Sequence, residues 1–174
     1  MPDAPHRTED ELVLPSPESG TGNVAIDVLV IGAGQAGLSA AYHLQRTGSP
    51  YLVLDSETGP GGAWQHRWPT LTMSTVNGIT ELLSSVVPPV DPAAAAADVI
   101  PKYFSDYETH FGLDVRRPIT VGRVESNGTL LVSTMPDGRT VTSRADQRDG
   151  HLVAAVLAAL SGHGRFHRPA VAHS

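Results

Sequence analysis

A glycine-rich turn between an apolar strand and a helix most constrains how this chain can fold. The apolar run 24–31 is followed by glycines at positions 32, 34 and 37 and then by residues 38–46, which predict a helix. Gly32 permits a tight turn, Gly34 lets the main chain approach an anion without a Cβ in the way, and Gly37 allows close helix packing. The helix directs its N–H groups and positive dipole end at the same anion. Residues 32–37, called the glycine turn below, therefore predict a cradle for the pyrophosphate of a dinucleotide.

A second apolar strand with an acid at its end supports this interpretation. Gly48 is predicted to end the helix, the strand follows over Tyr51–Leu54, and Asp55 comes next. A carboxylate about 20 residues after such a turn accepts hydrogen bonds from a ribose hydroxyl in dinucleotide-binding domains. The alternative is an ordinary strand, turn and helix without a ligand. The order of strand, turn, helix, strand and acid favours the dinucleotide.

Composition excludes several classes of function. The chain has 174 residues and a net charge of −6, so it fits one domain and offers no basic surface for nucleic acid or an anionic membrane. Cysteine is absent, which excludes disulfides and thiolate metal sites. The N-terminus lacks the basic-then-apolar order of a secretion signal, and no apolar stretch is long enough to span a bilayer. We therefore expect a cytoplasmic protein.

Three segments differ in local composition. Residues 1–23 are rich in proline and acids and are predicted to be a disordered lead-in. Residues 24–145 carry the apolar patterns and are predicted to be the folded domain. Residues 146–174 are rich in alanine, leucine and histidine and form a tail of different character.

The second half of the folded segment predicts helices and then an antiparallel meander. Pro92 is expected to begin a helix through residue 97, and Pro101 a second helix that Gly112 ends. Every fourth residue of the second helix is aromatic, which predicts a stripe packed on the core: Tyr103, Tyr107 and Phe111. Turn residues at 127–128 and 136–138 separate three β-prone runs, at 119–124, 129–134 and 139–143.

A second glycine-rich segment indicates which dinucleotide is bound. Gly61-Gly62-Ala63-Trp64, called the tryptophan loop below, follows the acid and precedes Arg67-Trp68-Pro69. Together with the glycine turn, this loop resembles the flavin-dependent monooxygenases of the Baeyer-Villiger and N-hydroxylating type, over residues 24–145. The resemblance implies an α/β fold, a Rossmann-like FAD/NAD(P)-binding βαβ domain with an inserted antiparallel β-meander.

The resemblance also implies a set of cofactor-binding residues. In that family the glycine turn holds the FAD pyrophosphate, the acid holds the adenosine ribose, and the tryptophan loop runs beside the flavin. Carried over, these roles fall on Gly32, Gly34, Gln35, Ala36, Gly37, Asp55, Gly62 and Trp64. The family more often has glutamate at the position of Asp55, although the shorter aspartate also accepts from a hydroxyl. The alternative for residues 61–64 is a surface loop whose tryptophan covers the edge of the core.

The function implied is that of an oxidoreductase fragment. Intact members of the family use NADPH and O2 to oxygenate a substrate, which requires a second dinucleotide domain. We expect this chain to bind FAD, assign it no catalytic residue, and expect it to be inactive alone; protein partners stay open. Two alternatives are a small NAD(P)-binding dehydrogenase, for which Lys102 beside Tyr103 forms no matching motif, and a non-catalytic nucleotide-binding module.

The tail departs from the family. Its members continue after the meander with a strand ending near Asn-Ala-Thr-Gly-Thr-Trp, and nothing like it occurs in residues 146–174. A family-like continuation can be written as Asn-Ala-Thr-Gly-Thr-Trp-Ser-Arg-Pro-Phe-Trp-Pro-Arg-Tyr-Pro-Gly. Codons for it can be chosen so that reading from the third base of the first codon yields residues 148–162 without a mismatch. We therefore expect the tail to be read out of frame. The alternative is a C-terminal helix with Leu152, Val156 and Leu160 on one face.

Histidines crowd the tail without predicting a metal site. His163 and His167 have the i, i+4 spacing of zinc ligands on a helix. No glutamate or further spaced ligand accompanies them. We therefore expect no metal ion.

Overall fold

Two four-stranded sheets, a two-stranded hairpin and two α-helices make up the described part of the chain. The structure is a computed structural model, and it describes residues 23–76, 81–85, 89–144, 146–148, 151–153 and 155–157. In chain order the elements are β1 (Asn23–Ile26), β2 (Val28–Ile31), α1 (Gln35–Thr47), β3 (Tyr51–Leu54), a 3-10 helix (Gly62–His66), α2 (Ala96–Phe111), β4 (Val115–Arg116), β5 (Arg123–Asn127), β6 (Leu130–Thr134), β7 (Thr140–Arg144), β8 (Asp146–Arg148), β9 (His151–Val153) and β10 (Ala155–Leu157).

The first sheet is parallel and carries the predicted βαβ unit. Its strands lie in the order β10-β2-β3-β4, with Val30 of β2 opposite Val53 of β3. Both valines are buried, and α1 packs Leu38 and Ala41 into the same core. Gly48 ends α1 in the left-handed conformation, as predicted. The α/β fold with a Rossmann-like βαβ unit is confirmed.

The second sheet contains the predicted meander. Its strands lie in the order β1-β7-β6-β5, antiparallel from β5 to β7, and β1 pairs with β7 in parallel. Gly128 and Gly138 occupy the two turns with φ of 68° and 87°. The first strand of the meander, β5, begins at Arg123, later than the run 119–124 that the sequence predicts. The reason is that Ile119 N–H donates to Asp55 O instead of to a neighbouring strand of the meander.

Residues 24–31 do not form the single strand that their apolar run predicts. Asp27 divides them, and β1 and β2 enter different sheets. The Asp27 carboxylate pairs with Arg144 Nε at 2.8 Å, and Asp27 O accepts from Arg144 N–H at the end of β7. One polar residue therefore joins the two sheets at their crossing.

A single helix replaces the two that were predicted from Pro92 and Pro101. Residues 92–95 are held out of a helix because Ser74 N–H donates to Pro92 O and Met73 N–H donates to Ala94 O. Pro101 then lies inside α2, and Gly112 ends that helix in the left-handed conformation. Within the described residues, neither helix is long and apolar enough to cross a membrane.

The described backbone of the tail is extended. Residues 151–153 and 155–157 are strands, and β10 pairs with β2 in parallel. The alternative of a C-terminal helix over these residues is therefore wrong. The predicted lead-in, apart from Asn23, and residues 158–174 of the tail lie outside the described residues.

The aromatic stripe of α2 packs on the core, as predicted. Tyr103 and Tyr107 are buried, and their hydroxyls hold the turn at residues 82–85 against the helix. Leu82 N–H donates to Tyr103 Oη at 2.9 Å, and Tyr107 Oη donates to Leu83 O at 3.0 Å. Burial, followed by the neighbouring phenols of Tyr42 and Tyr103, raises the pKa of Tyr107 to about 12.

We predict that Tyr107→Phe alters how stability depends on alkaline pH. At neutral pH the wild type should be more stable by about 1 kcal/mol, because the variant loses the bond to Leu83 O. The folded state holds the Tyr107 proton up to a pKa of about 12, whereas the unfolded chain releases it near 10.0. This stabilisation is therefore fully present below pH 10 and is lost as the pH rises through 12. Melting temperatures at pH 7, 9 and 11 check this, and a constant difference between the two proteins would contradict it.

We also predict that Gly61→Ala is strongly destabilising. Gly61 has φ of 107°, and a Cβ there would lie 2.6 Å from Pro101 Cβ and 2.7 Å from Pro101 Cα. The cost should be about 3 kcal/mol in urea unfolding, since strain and overlap with backbone add. Gly48→Ala is the matched control, because Gly48 has φ of 69° with nothing within 4 Å, and it should cost about 1 kcal/mol. Equal losses would show that the packing on Pro101 is unimportant.

Candidate dinucleotide-binding site

The glycine turn joins the carboxyl end of β2 to the N-terminus of α1. Gly32 adopts φ of 93°, and its N–H donates to Leu54 O at 2.7 Å, which ties the turn to the end of β3. Gly34 precedes α1 with φ of −78° and ψ of −172°, and the first turn of the helix carries no acid. Gln35 begins the helix, Ala36 is exposed and Gly37 is buried. The turn therefore presents backbone and a positive helix end at one edge of the parallel sheet.

Asp55 lies beside this turn and is almost completely buried, with 3% of its surface exposed. Its Oδ2 accepts from Ala33 N–H at 2.5 Å and its Oδ1 from Glu57 N–H at 2.7 Å. A buried carboxylate requires such donors, and each oxygen has a further lone pair to offer. The acid thus organises the turn directly, and its contact with a ribose stays a prediction.

The tryptophan loop is brought against the glycine turn. A Cβ at Gly62 would lie 3.8 Å from Gly34 Cα, so the two glycine segments approach within van der Waals distance. Gly61 and Gly62 both have positive φ, 107° and 51°, and Gly61 rests on Pro101 of α2. Gln65 Nε2 donates to Gly59 O at 2.9 Å, and this bond joins the two segments that flank the tryptophan loop. Two segments that are separate in sequence therefore form one backbone-lined surface.

Trp64 faces both the core and a charged neighbour. The indole packs at the edge of the main core, which agrees with the alternative stated for this loop. The Arg67 guanidinium carbon lies 5.5 Å from the indole centroid, within the range of a cation–π contact. Nearby, His66 Nε2 and Glu57 Oε2 are 2.7 Å apart and link the loop to the segment after Asp55.

Three contributors to the site were not identified from the sequence. The Ala33 N–H is the donor to Asp55, and the direction of a backbone N–H depends on the turn and not on the residue type. Pro101 supports the tryptophan loop from 40 positions further along the chain, without any local signal in the sequence. The Glu57 N–H donor carries a detectable signal, since an aspartate commonly accepts from the backbone N–H two residues further on.

The described residues contain no cluster of metal ligands. No group of three or more histidine, cysteine, aspartate or glutamate side chains among them could hold a metal ion. The histidines of the tail discussed above lie outside the described residues.

Comparisons with known proteins agree with this geometry. A family model described as an NAD(P)-binding Rossmann-like domain matches residues 30–71, which span the glycine turn, Asp55 and the tryptophan loop. An uncharacterised CzcO-like oxidoreductase of Geobacillus kaustophilus is 26% identical over 119 residues, covering 68% of this chain and 34% of that protein. The chain therefore spans about a third of that relative's length.

Solved structures show the same relationship. A flavin-containing monooxygenase from Stenotrophomonas maltophilia has 42% sequence identity and a TM-score of 0.63, covering 70% of this chain and 37% of the other. Bacillithiol disulfide reductase from Staphylococcus aureus has 22% sequence identity and a TM-score of 0.55, and the match covers 70% of this chain and 36% of the reductase chain. At this identity the similarity shows the fold alone. The resemblance to the dinucleotide-binding part of flavin monooxygenases and related oxidoreductases, predicted from the sequence, is confirmed.

Proposed function

We propose that this chain is the FAD-binding part of a flavin-dependent monooxygenase-like oxidoreductase. The observation that carries the proposal is the approach of Gly62 to Gly34, which unites the glycine turn and the tryptophan loop at the N-terminus of α1. A nucleotide-binding turn alone would serve any dinucleotide. The second loop, packed against it and bearing Trp64, favours a flavin.

The glycine turn would hold the pyrophosphate through backbone alone. The N-terminus of α1 is presented by the residues of the turn, Gly32, Gly34, Gln35, Ala36 and Gly37. Gly34 offers no Cβ to obstruct a phosphate oxygen. The first turn of α1 lacks an acid that would repel the anion. The residues present therefore fit a pyrophosphate.

The remaining contacts would orient the two ends of the cofactor. Asp55 would accept from the adenosine ribose through the lone pairs that Ala33 and Glu57 leave available. Gly62 allows close approach of the flavin side, and Trp64 covers the core edge next to it. FAD, when bound, supplies the redox and oxygen chemistry, while the chain contributes binding and orientation.

Oxygenation of a substrate is proposed for the larger protein type and not for these residues alone. The relatives reported above are about three times longer than the matched region, and in the intact family NADPH and O2 take part. We propose no catalytic residue in this chain. We also propose a cytoplasmic location, and the net charge of −6 argues against a nucleic acid partner.

A second candidate is an NAD(P)-binding module, which the family model over residues 30–71 favours. In that case the turn would bind the pyrophosphate of a nicotinamide dinucleotide. The acids Asp55 and Glu57 at the end of β3 would disfavour a 2′-phosphate, so NADH should bind better than NADPH. Binding of NADH without FAD would support this candidate over the flavin.

Flavin binding tests the proposal directly. The purified chain is titrated into FAD, and the quenching of flavin fluorescence is measured beside a parallel titration of NADH. We expect saturable binding of FAD, with FMN binding more weakly because it lacks the adenosine and the second phosphate. Failure of folded protein to bind FAD would contradict the proposal.

We predict that Gly34→Ala weakens FAD binding by about tenfold or more, because its methyl group obstructs the phosphate. The φ of −78° and ψ of −172° suit alanine, so the variant should fold normally by circular dichroism. Gly59→Ala is the matched control, since a Cβ there meets only Gln65 Oε1 at 3.5 Å. The control should bind FAD like the wild type, and equal affinities in all three proteins would refute the role of Gly34.

The division into residues 1–23, 24–145 and 146–174 is likewise proposed, with the third segment read out of frame. The support is the match between residues 148–162 and a shifted reading of the family's Asn-Ala-Thr-Gly-Thr-Trp continuation. The strand β10 is compatible with it, because an apolar run forms a strand whatever its origin.

We predict that the coding DNA contains this continuation in another frame. Sequencing of the genomic region downstream of codon 145 should show Ala-Thr-Gly in an alternative frame, followed by codons for further protein. If none of the frames contains it, residues 146–174 are the genuine product of the gene.

A further inference from the structure

The strand end that carries Asp55 is enclosed by a segment that follows β4. Asp55 N–H donates to Arg116 O at 3.0 Å, and Asp55 O accepts from Ile119 N–H at 2.8 Å. Both backbone groups of the acid are thus bound by residues 116–119. Whatever fixes this segment also fixes the position of the Asp55 carboxylate relative to the glycine turn.

An ion pair fixes this segment to α2. Arg117 Nη1 donates to Glu108 Oε2 at 2.8 Å and Arg117 Nη2 donates to Glu108 Oε1 at 2.7 Å, a parallel two-bond arrangement with defined orientation. Each side chain is only 11% exposed. By contrast, the pair of Lys102 and Asp106 on the same helix is 74% and 59% exposed, where solvent screens the attraction.

The contacts form one continuous series from α2 to the turn. Glu108 binds Arg117. Arg116 and Ile119, which flank Arg117 and Pro118, bind the Asp55 backbone, and the Asp55 carboxylate accepts from Ala33 N–H at 2.5 Å. Replacing Arg117 leaves the mostly buried Glu108 carboxylate on α2 without its cation, and it removes both bonds that tie residues 116–119 to the helix, so the segment becomes free to move. Such a movement would displace Asp55 and loosen its bond to the turn.

We propose that Arg117 is a positioning residue for the cofactor site, acting through Asp55 on the N–H groups of the glycine turn. The inference rests on the proposed function in assigning FAD to that turn. It assigns to the pair of Arg117 and Glu108 the role of holding the acid in register with the phosphate cradle. Arg117 itself would not contact the cofactor.

The first test needs no cofactor. Amide hydrogen exchange is measured by NMR on the wild type, on Arg117→Met, and on Lys102→Met as the matched control that removes an exposed ion pair. We expect the Ala33 amide to exchange about tenfold faster in Arg117→Met, with the Leu52 and Val53 amides of β3 unchanged, and no change in Lys102→Met. Uniform acceleration of all amides, or an unchanged Ala33 amide, would overturn the proposal.

The second test uses FAD affinity in a double-mutant cycle. Arg117→Met should weaken FAD binding by about tenfold, as losses at residues that orient a ligand-binding group commonly do. In an Asp55→Ala background the same substitution should have no further effect, because the route through the carboxylate is already lost. Equal weakening in both backgrounds would show that Arg117 acts by another route.

Failure of the proposed function, failure of a variant to fold and failure of this inference can be told apart. If the wild type does not bind FAD, the proposed function fails and the exchange of the Ala33 amide alone decides this inference. If Arg117→Met does not fold, Arg117→Lys replaces it, since lysine keeps the charge but cannot make the two-bond contact. Arg117→Lys should then show a smaller acceleration at Ala33, and wild-type exchange there would overturn the proposal.

Discussion

The hydrogen bond between Ala33 N–H and the buried Asp55 carboxylate holds the ends of two adjacent strands in one geometry. A carboxylate that is 3% exposed must be satisfied internally, and hydrogen bonds to charged groups contribute about 1.5–3 kcal/mol each. With the bond from Gly32 N–H to Leu54 O, it determines the path of the chain out of β2. The direction in which the N-terminus of α1 presents its N–H groups depends on that path.

The rest of the site is assembled around this turn by close packing. Gly61 can rest on Pro101 only because it has no side chain, and its positive φ turns the chain so that Gly62 reaches Gly34. The tryptophan loop is therefore positioned from behind by α2, whose own place is set by the burial of Tyr103 and Tyr107. Helix packing, loop position and the backbone-lined surface are thus parts of one arrangement, and the proposed FAD contacts depend on all three.

Local signals in the sequence predicted the βαβ unit, the glycines that end both helices, and the two turns of the meander, because each depends on residues that are neighbours in the chain. The structural predictions that were wrong share a different cause. The break in the apolar run at Asp27 coincides with a backbone bond from Arg144 at the end of β7, and residues 92–95 leave a helix because residues 73–74 bind them. Strand β4 has only two residues and no pattern to detect. The Ala33 N–H donor to Asp55 and the support from Pro101 also arise from tertiary contacts, so the type of site was predictable but its construction was not.

The glycine turn and the tryptophan loop are proposed to act as a single binding surface. Two-dimensional 1H–15N spectra of the chain during titration with FAD test it most directly, because every backbone amide reports separately. We expect the amides of Gly34 and Gly62 and the indole N–H of Trp64 to shift together with one saturation curve, while the amide of Gly138 in the meander turn stays unchanged. Shifts confined to residues 32–37, or centred elsewhere in the fold, would contradict it.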